Sequence, residues 1–520
     1  MMLKEESSVY HETEGPREEC GVFGIYFPHE DISKNIVKIT LAGALANQHR
    51  GEESAGIVVG NGQRISPVFK RMGLVRNLYE AYLHPESEGD SFDRSSLEGY
   101  IAVAHNRYST TGSSNILNAG PFSFESDLGQ IAVSHNGNIT NSEKLKKQLI
   151  SSGYTFSSTT DSEVIGALIV SSEGITWEEK IINALPQLNG SFSLVVCTKD
   201  SLYGIRDRIG NRPLSYAQFR QDGVIGFAIS SESVAFDNLG FDYKREVLPG
   251  EMIKINNSEV ASSYFVESDE IAPAFCGLEV AYLERPDSRI EGIQLDTIRR
   301  SLGGSLAILY PPLDSIDFVT YIPESARSSA EGYAALSANI LGRPVPCITT
   351  MIKNRYGTID GAIRGFIHPD NTTRQRVGLE NYHPLDLLIG KKVVVVDDSI
   401  IRGNTTAGVV TNIRHYVGDL RNSGAAEVHL RIIFPPVIDF CPLGTDINET
   451  DYLIARELEG NIDKIARELD VDSLGYLTPA QFQEGVNRAL GYEFKLCLGC
   501  TTGDYPVETF QVDKRIFEED

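Results

Sequence analysis

Residues Lys392 to Gly408 read K-V-V-V-V-D-D-S-I-I-R-G-N-T-T-A-G, and no other stretch constrains the fold as strongly. Four consecutive valines make a short, wholly apolar, β-branched run, the pattern of a strand buried on both faces of a parallel sheet. Asp397 and Asp398 close that run, at the carboxyl edge where open α/β sheets hold their ligands. Ser399, Gly403, Asn404, Thr405 and Thr406 then form a small, hydroxyl-rich turn into the helical pattern T-A-G-V-V-T-N-I-R-H-Y. Such a turn points N–H groups and hydroxyls at one place, and a helix N-terminus adds partial positive charge, so phosphate is its natural guest. The two aspartates would repel a bare phosphate. Ribose hydroxyls and a hydrated magnesium ion match their oxygens better. The plainer alternative is a buried strand capped by an Asp-rich turn.

The stretch fits neither a Walker loop nor a Gly-x-Gly-x-x-Gly fingerprint. It resembles the loop of type I phosphoribosyltransferases, which hold 5-phosphoribosyl-1-pyrophosphate (PRPP) with paired acids on the ribose and a Thr/Gly turn on the 5′-phosphate. The net charge of −24 argues against nucleic acid or an anionic membrane as partner, yet a local nest of donors can still hold a small anion. No apolar run approaches the roughly 18 residues that span a bilayer. The first nineteen residues, polar and acidic, are expected to be a leader rather than a secretory signal. Seven cysteines in 520 residues do not make a disulfide scaffold, which suits a reducing, cytoplasmic setting.

From residue 20 to about 255 the chain reads mostly as strands, such as C-G-V-F-G-I-Y-F, S-A-G-I-V-V-G and S-F-S-L-V-V-C, with helical patterns near 32–48, 141–151, 161–171 and 177–187. That order suggests two sheets with helices outside. Cys20 opens the first strand. A strand cysteine is most often a small buried hydrophobe; with residues 1–19 removed, its freed α-amine could act as base for its own thiol. Its company is Q-H-R-G-E-E-S-A-G-I at 48–57, A-H-N-R-Y-S-T-T-G-S-S-N at 104–115, S-H-N-G-N-I-T-N at 134–141 and T-T-D-S-E-V-I at 159–165. The series resembles the class II glutamine amidotransferases, a branch of the N-terminal nucleophile hydrolases. That resemblance implies that Cys20 attacks the glutamine side-chain amide. It implies an oxyanion hole at Asn136 and Gly137, and Arg107 and Asp161 gripping the substrate's carboxylate and amino groups. Asn136-Gly137 as a hairpin turn and Arg107 as a surface ion-pair partner remain open.

Beyond about residue 315, strands alternate with helices: D-F-V-T-Y-I-P, P-V-P-C-I-T-T-M-I, K-V-V-V-V-D-D and E-V-H-L-R-I-I-F are expected strands of a parallel sheet. Amphipathic helices are expected near 447–469 and 479–490. Y-I-P-E-S-A-R-S-S-A-E-G-Y-A at 321–334 resembles a family segment with Ser325 near the metal-bound pyrophosphate; Ser325 as a plain helix cap is the alternative. I-K-N-R-Y at 352–356 resembles the start of a loop that closes over PRPP, with Lys353 and Arg355 offsetting pyrophosphate charge. Cys497 and Cys500 form a C-x-x-C, which alone fits a redox pair, a zinc knuckle or coincidence. With Cys276 and Cys441, the contexts F-C-G-L-E-V-A-Y-L-E-R-P-D-S, C-P-L-G-T-D-I and C-L-G-C-T-T-G-D-Y-P-V-E resemble the ligand sites of iron–sulfur members of one family, implying a structural [4Fe–4S] cluster. Cys197 and Cys347 read as core.

Together the halves resemble the glutamine-dependent PRPP amidotransferases. The resemblance implies an α/β and α+β two-domain chain: leader 1–19, an N-terminal nucleophile (αββα) glutamine amidotransferase domain over 20–255, a connector over 256–314, and a type I phosphoribosyltransferase parallel-sheet domain with C-terminal helices and a cysteine-bearing tail over 315–520. It further implies glutamine and PRPP as substrates, Mg2+ and [4Fe–4S] as cofactors, purine nucleotides as inhibitors, and a homo-oligomer, dimer or tetramer. The chain departs from the family pattern in three places. G-T-I-D-G-A-I-R-G-F-I after Tyr356 is longer than usual and leaves the register of Arg364 open; N-Y-H-P-L-D-L-L-I-G and D-R-I-G-N-R-P-L also differ. These departures keep two other readings alive: a paralogue that binds PRPP or nucleotides as a regulator, and a glutaminase feeding a different acceptor.

Overall fold

The computed structural model describes residues 20–28, 35–84, 92–108, 114–221, 223–257, 259–353, 382–403, 406–407, 410, 424–448 and 452–508. Its first half is a sandwich of two mainly antiparallel sheets. One has seven strands, in the order Asp242–Glu246, Ser215–Gln221, Val224–Ser230, Gly21–Tyr26, Ile101–Arg107, Ser54–Gly60 and Phe69–Met72. The other has six, in the order Glu259–Tyr264, Glu251–Asn256, Leu202–Arg206, Gly190–Thr198, Gly129–Ile139 and Phe122–Ser126. The central strands, such as Gly21–Tyr26, Ser54–Gly60, Ile101–Arg107 and Gly190–Thr198, lack a polar face because both of their faces are covered. Val22, Val58, Val103, Ala132, Val195 and Ile229 fill the space between the sheets. Helices Ile36–Ala46 and Val75–Leu83 cover the outer face of the first sheet, and Ser142–Ser151, Asp161–Ser171 and Trp177–Ala184 that of the second. Each buried Val, Leu or Ile side chain adds roughly 1.5–3 kcal/mol, so three apolar layers hold the four-layer stack. The expected αββα arrangement is therefore the one observed.

The second half is built on a four-stranded parallel sheet, in the order Phe318–Tyr321, Lys392–Asp397, Glu427–Ile432 and Ser473–Tyr476. The valine run is its second strand. Its side chains alternate: Val394 and Val396 join the core under helices Leu295–Leu309, Arg327–Leu341 and Pro479–Leu490, while Val393 and Val395 join the core on the opposite face. All four valines are fully buried.

Three expectations need correction. P-V-P-C-I-T-T-M-I is not a strand of the main sheet. Pro344 and Pro346 lack N–H donors, Cys347 makes only an isolated parallel bridge to Val319, and Met351–Lys353 pairs with Tyr382–Pro384 in a separate ribbon. The helix expected over 447–469 is two short helices, Ile454–Glu457 and Ile462–Glu468. Between them Glu459 and Gly460 take positive φ (55° and 65°), and Asn461 caps the second helix by accepting from Lys464 N. The fourth strand, Ser473–Tyr476, was not anticipated: it is short, contains Gly475 and carries no β-branched residue. The stretch 256–314 is mixed, since Glu259–Tyr264 completes the six-stranded sheet while Leu295–Leu309 packs on Arg327–Leu341, with Gly303 against Ser329 and Gly332 against Arg300. Among the described residues no helix is long and apolar enough to cross a membrane.

Candidate active sites

Cys20 stands at the head of Gly21–Tyr26, a central strand of the seven-stranded sheet, and is 8% exposed. Its thiol donates to the Tyr108 carbonyl at 3.4 Å, and its own carbonyl accepts from Arg50 Nε at 3.4 Å. Pairing of Gly21 with Asn106 brings the end of the neighbouring strand, with Arg107, alongside. Arg107 is buried and 3.5 Å from Glu53. Burial lowers its guanidinium pKa, and the negative charges of Glu53, Cys20 and Asp161 oppose that shift. Cys20, Arg107 and Asp161 thus lie within electrostatic reach of one another.

Asp161 is the first residue of the helix Asp161–Ser171, which Thr160 caps through its side chain. One carboxylate oxygen accepts from Ile139 N at 3.1 Å; the other is 3.7 Å from His135 Nδ1. Burial works to raise its pKa, but His135 and the N–H groups of Ile139 and Ser162 hold it below the usual value. Asp161 is therefore a buried anion.

Asn136 lies inside the strand Gly129–Ile139, not in a hairpin turn, paired opposite Ser193. It is fully buried, and neither Nδ2 nor Oδ1 has a hydrogen-bond partner among the described residues. A native protein rarely leaves a buried amide unsatisfied without a use for it. Gly137 follows with φ of 144°, and a Cβ there would collide with the Ser191 carbonyl. His105, two residues before Arg107, was not singled out from the sequence. Both its ring nitrogens are buried with no hydrogen-bond partner among the described residues, and burial, with His135 and Arg107 nearby, pushes its pKa down to about 3, so the imidazole is neutral.

The second half forms one wall of this site. Asn138 Nδ2 donates to Pro442 O at 2.9 Å, and Ser191 Oγ and Arg212 Nη2 both donate to Leu443 O at 2.6 Å. Tyr108 O–H donates to Asp446 at 3.3 Å, and a Cβ on Gly444 would sit 3.2 Å from the Gly137 carbonyl carbon.

At the other centre, Asp397 and Asp398 sit buried at the carboxyl end of the valine strand. Ser325 and Ser399 donate to the two carboxylate oxygens of Asp398, the latter at 3.0 Å. Asp398 N donates to Asp397 Oδ1 at 2.9 Å, and the Thr406 hydroxyl also bonds Asp397. Burial first, then the charge of Asp398, pushes the Asp397 carboxyl well above its usual range; burial likewise raises Asp398, with Ser325 and Ser399 opposing. Two buried acids that repel each other suit a hard cation or sugar hydroxyls, and Mg2+ needs only one or two carboxylates besides phosphate oxygens. Gly403 has φ of 85°, lies against Ile454 and accepts from Ala407 N at 2.8 Å. Lys353 ends the ribbon strand Met351–Lys353; Arg355, Arg364, Asn404 and Thr405 lie outside the described residues.

The four cysteines converge from three distant segments. Phe275–Cys276 pairs in parallel with Leu496–Cys497, setting Cys276 opposite Cys497. Cys500 follows in the short helix Gly499–Thr502, and its carbonyl accepts from Ile438 and Asp439, just before Cys441. Burial, then the charges of Cys441, Cys276 and Cys497, raise the Cys500 thiol well above its usual value; burial pushes Cys497 up to about 11. Among the described residues no three or more Cys, His, Asp or Glu side chains already surround one point as a metal site. The donor set is nonetheless all thiol in apolar surroundings, Cys441 and Cys497 against Ile209, Ala274, Leu443 and Val507 and Cys276 and Cys500 in the core of the second half, and such a set suits iron–sulfur or zinc better than a hard cation.

The chain is similar to known proteins along nearly its whole length. Residues 105–238 match the family model described as a glutamine amidotransferase domain. The amidophosphoribosyltransferase of Synechococcus elongatus is 37% identical over 503 residues, covering 96% of this chain and 94% of the relative. That of Bacillus subtilis is 35% identical over 509 residues, covering 96% of each. The solved glutamine PRPP amidotransferase of B. subtilis, complexed with ADP and GMP, superposes with a TM-score of 0.80 at 34% identity, covering 95% of this chain and 98% of that one. With similarity of this extent along nearly its whole length, the chain belongs to the amidophosphoribosyltransferase family.

Proposed function

We propose that this chain hydrolyses glutamine at Cys20 and delivers the ammonia to PRPP held at the Asp397–Thr406 turn, forming 5-phosphoribosylamine and pyrophosphate, the first step of de novo purine biosynthesis. The observation that carries the reading is the buried Asn136 amide, without a hydrogen-bond partner among the described residues, in a chain matched along its length by amidophosphoribosyltransferases. Removal of residues 1–19 frees the Cys20 α-amine, which takes the thiol proton as sulfur attacks the glutamine amide carbon. Asn136 Nδ2 and the Gly137 N–H receive the developing oxyanion. Arg107 and Asp161, of opposite charge, hold the carboxylate and amino ends of the amino acid. The proton passes to the leaving ammonia, and water cleaves the thioester to glutamate.

Ammonia in neutral water is mostly protonated, so a closed passage to the second site preserves its nucleophilicity. There Thr406, with Ser399, Gly403, Asn404 and Thr405, grips the 5′-phosphate, and Asp397 and Asp398 position the ribose. Ammonia attacks C1 as pyrophosphate leaves, and the nitrogen then loses a proton. Asp397, Asp398 and Ser325 would hold magnesium, which would supply charge neutralisation for the leaving pyrophosphate, and Lys353 and Arg355 would add positive charge there. Cys276, Cys441, Cys497 and Cys500 would hold a [4Fe–4S] cluster, which would tie the tail to the connector and stabilise the fold. The ADP and GMP in the solved B. subtilis relative support purine nucleotides as inhibitors. We place the protein in the cytoplasm as a homo-oligomer.

The test is Cys20→Ala. Glutamine-dependent formation of phosphoribosylamine should vanish while synthesis from ammonium salts persists. Loss of both activities together would refute the division of labour, and absence of both in the unaltered protein would favour a binding-only paralogue.

A further inference from the structure

Glu279 lies outside the amidotransferase sandwich, in the π-helical turn Glu279–Leu283 that follows the cysteine-bearing strand Phe275–Cys276. It is fully buried. Its carboxylate accepts both terminal nitrogens of Arg50, at 3.0 and 2.6 Å, in a two-pronged pairing that fixes the plane of the guanidinium. Arg50 is 1% exposed; it also donates to Glu232 at 2.8 Å, and its Nε reaches the carbonyl of Cys20. Glu279 touches Arg212 as well, at 3.5 Å, and Arg212 holds the Leu443 carbonyl in the wall beside Asn138 and Gly137. One carboxylate from the connector therefore steadies both the nucleophile's backbone, through Arg50, and the wall against the oxyanion strand, through Arg212. The turn is itself anchored from the second half: Arg299, buried in the helix Leu295–Leu309, donates to the carbonyls of Val280 at 2.8 Å and Glu284 at 2.7 Å.

We infer that Glu279 is a positioning residue for glutamine hydrolysis, supplied from outside the amidotransferase sandwich, which holds Arg50 against Cys20 and Arg212 against the oxyanion wall. The inference rests on the proposed glutaminase role of Cys20. It follows that the first half alone is an incomplete glutaminase. A small displacement of a nucleophile costs rate while leaving substrate binding at Arg107 and Asp161 in place, so the loss should fall on kcat.

The experiment compares Glu279→Gln with Glu284→Gln in the full-length protein. Glu284 is an equally buried carboxyl in the same neighbourhood whose Oε1 has no hydrogen-bond partner among the described residues, and burial, with the charges of Glu232 and Glu279, raises its pKa well above the usual value. Glu279→Gln keeps the shape but loses the charge and one arm of the fork. It should lower kcat with glutamine about tenfold or more, leave KM for glutamine within about twofold, and leave ammonia-dependent synthesis within about twofold. Glu284→Gln should match the unaltered protein in all three. Undiminished kcat in Glu279→Gln, equal loss of the glutamine and ammonia activities, or an equal defect in Glu284→Gln would each overturn the inference. Failure of the unaltered protein to hydrolyse glutamine would instead overturn the functional reading beneath it.

Discussion

Replacing Asn136 by alanine should separate activity from stability. The side chain is fully buried with neither polar atom hydrogen-bonded among the described residues, and an unsatisfied buried group of this kind carries a desolvation penalty of about 1–3 kcal/mol. Alanine removes that penalty but leaves a small cavity that costs on the order of 1–2 kcal/mol. The two terms nearly cancel, and the variant should lie between about 1 kcal/mol less stable and about 2 kcal/mol more stable than the parent. Catalysis should move the other way. Loss of one oxyanion donor removes about 2.7–4 kcal/mol of transition-state stabilisation, a fall of roughly 10²–10³ in kcat for glutamine hydrolysis. Urea unfolding and steady-state glutaminase assays measure the two quantities, with ammonia-dependent synthesis as the control for the other centre. A variant destabilised by more than about 2 kcal/mol that retains kcat within about tenfold would show Asn136 to be a packing residue and refute the reasoning.

Two other predictions address the second centre and the cysteines. Asp397, held neutral more readily in the fold than in the unfolded chain, favours folding most below the ordinary carboxylate range near pH 4, and that contribution is lost as pH rises through its elevated folded-state pKa. Asp397→Asn abolishes this loss, so without ligands the variant's stability relative to the parent should grow as pH rises above the ordinary carboxylate range near pH 4; a constant difference in urea melts would contradict it. Cys500→Ser should strip iron and sulfide from protein isolated without oxygen and lower its Tm, and full retention of both elements would remove Cys500 from the ligand set.

What could be read in advance depended on how local the information was. The valine strand and its terminal aspartates were legible because β-branching, alternation and an acidic turn all act within a few residues; the structure divides the four valines between two cores accordingly. Cys20, Arg107, Asn136 and Asp161 could be named because each stands in a distinctive short motif, though their burial and the unsatisfied amide could not. The strand Ser473–Tyr476 was hidden because its pairing with Glu427–Ile432, not its own composition, makes it a strand. The break at Glu459-Gly460 is a cap signal that amphipathic periodicity overrode. Long-range partnerships were beyond reach: Asn138 meets Pro442 across 304 residues, and Arg50 meets Glu279 across 229. His105 carried a cue in sharing a strand face with Arg107, but only burial of both its nitrogens marks it as neutral and unsatisfied.

The central claim is that one chain makes ammonia at Cys20 and consumes it at the aspartate-tipped strand without releasing it to solvent. Supplying glutamine labelled with 15N at its side-chain amide, PRPP, magnesium and excess unlabelled ammonium at neutral pH, and reading the isotope in phosphoribosylamine by mass spectrometry, tests it directly. The account predicts product enriched in 15N far above the label fraction of the free ammonium pool. Product whose label merely equals that pool, or labelled ammonia with no phosphoribosylamine, would contradict it.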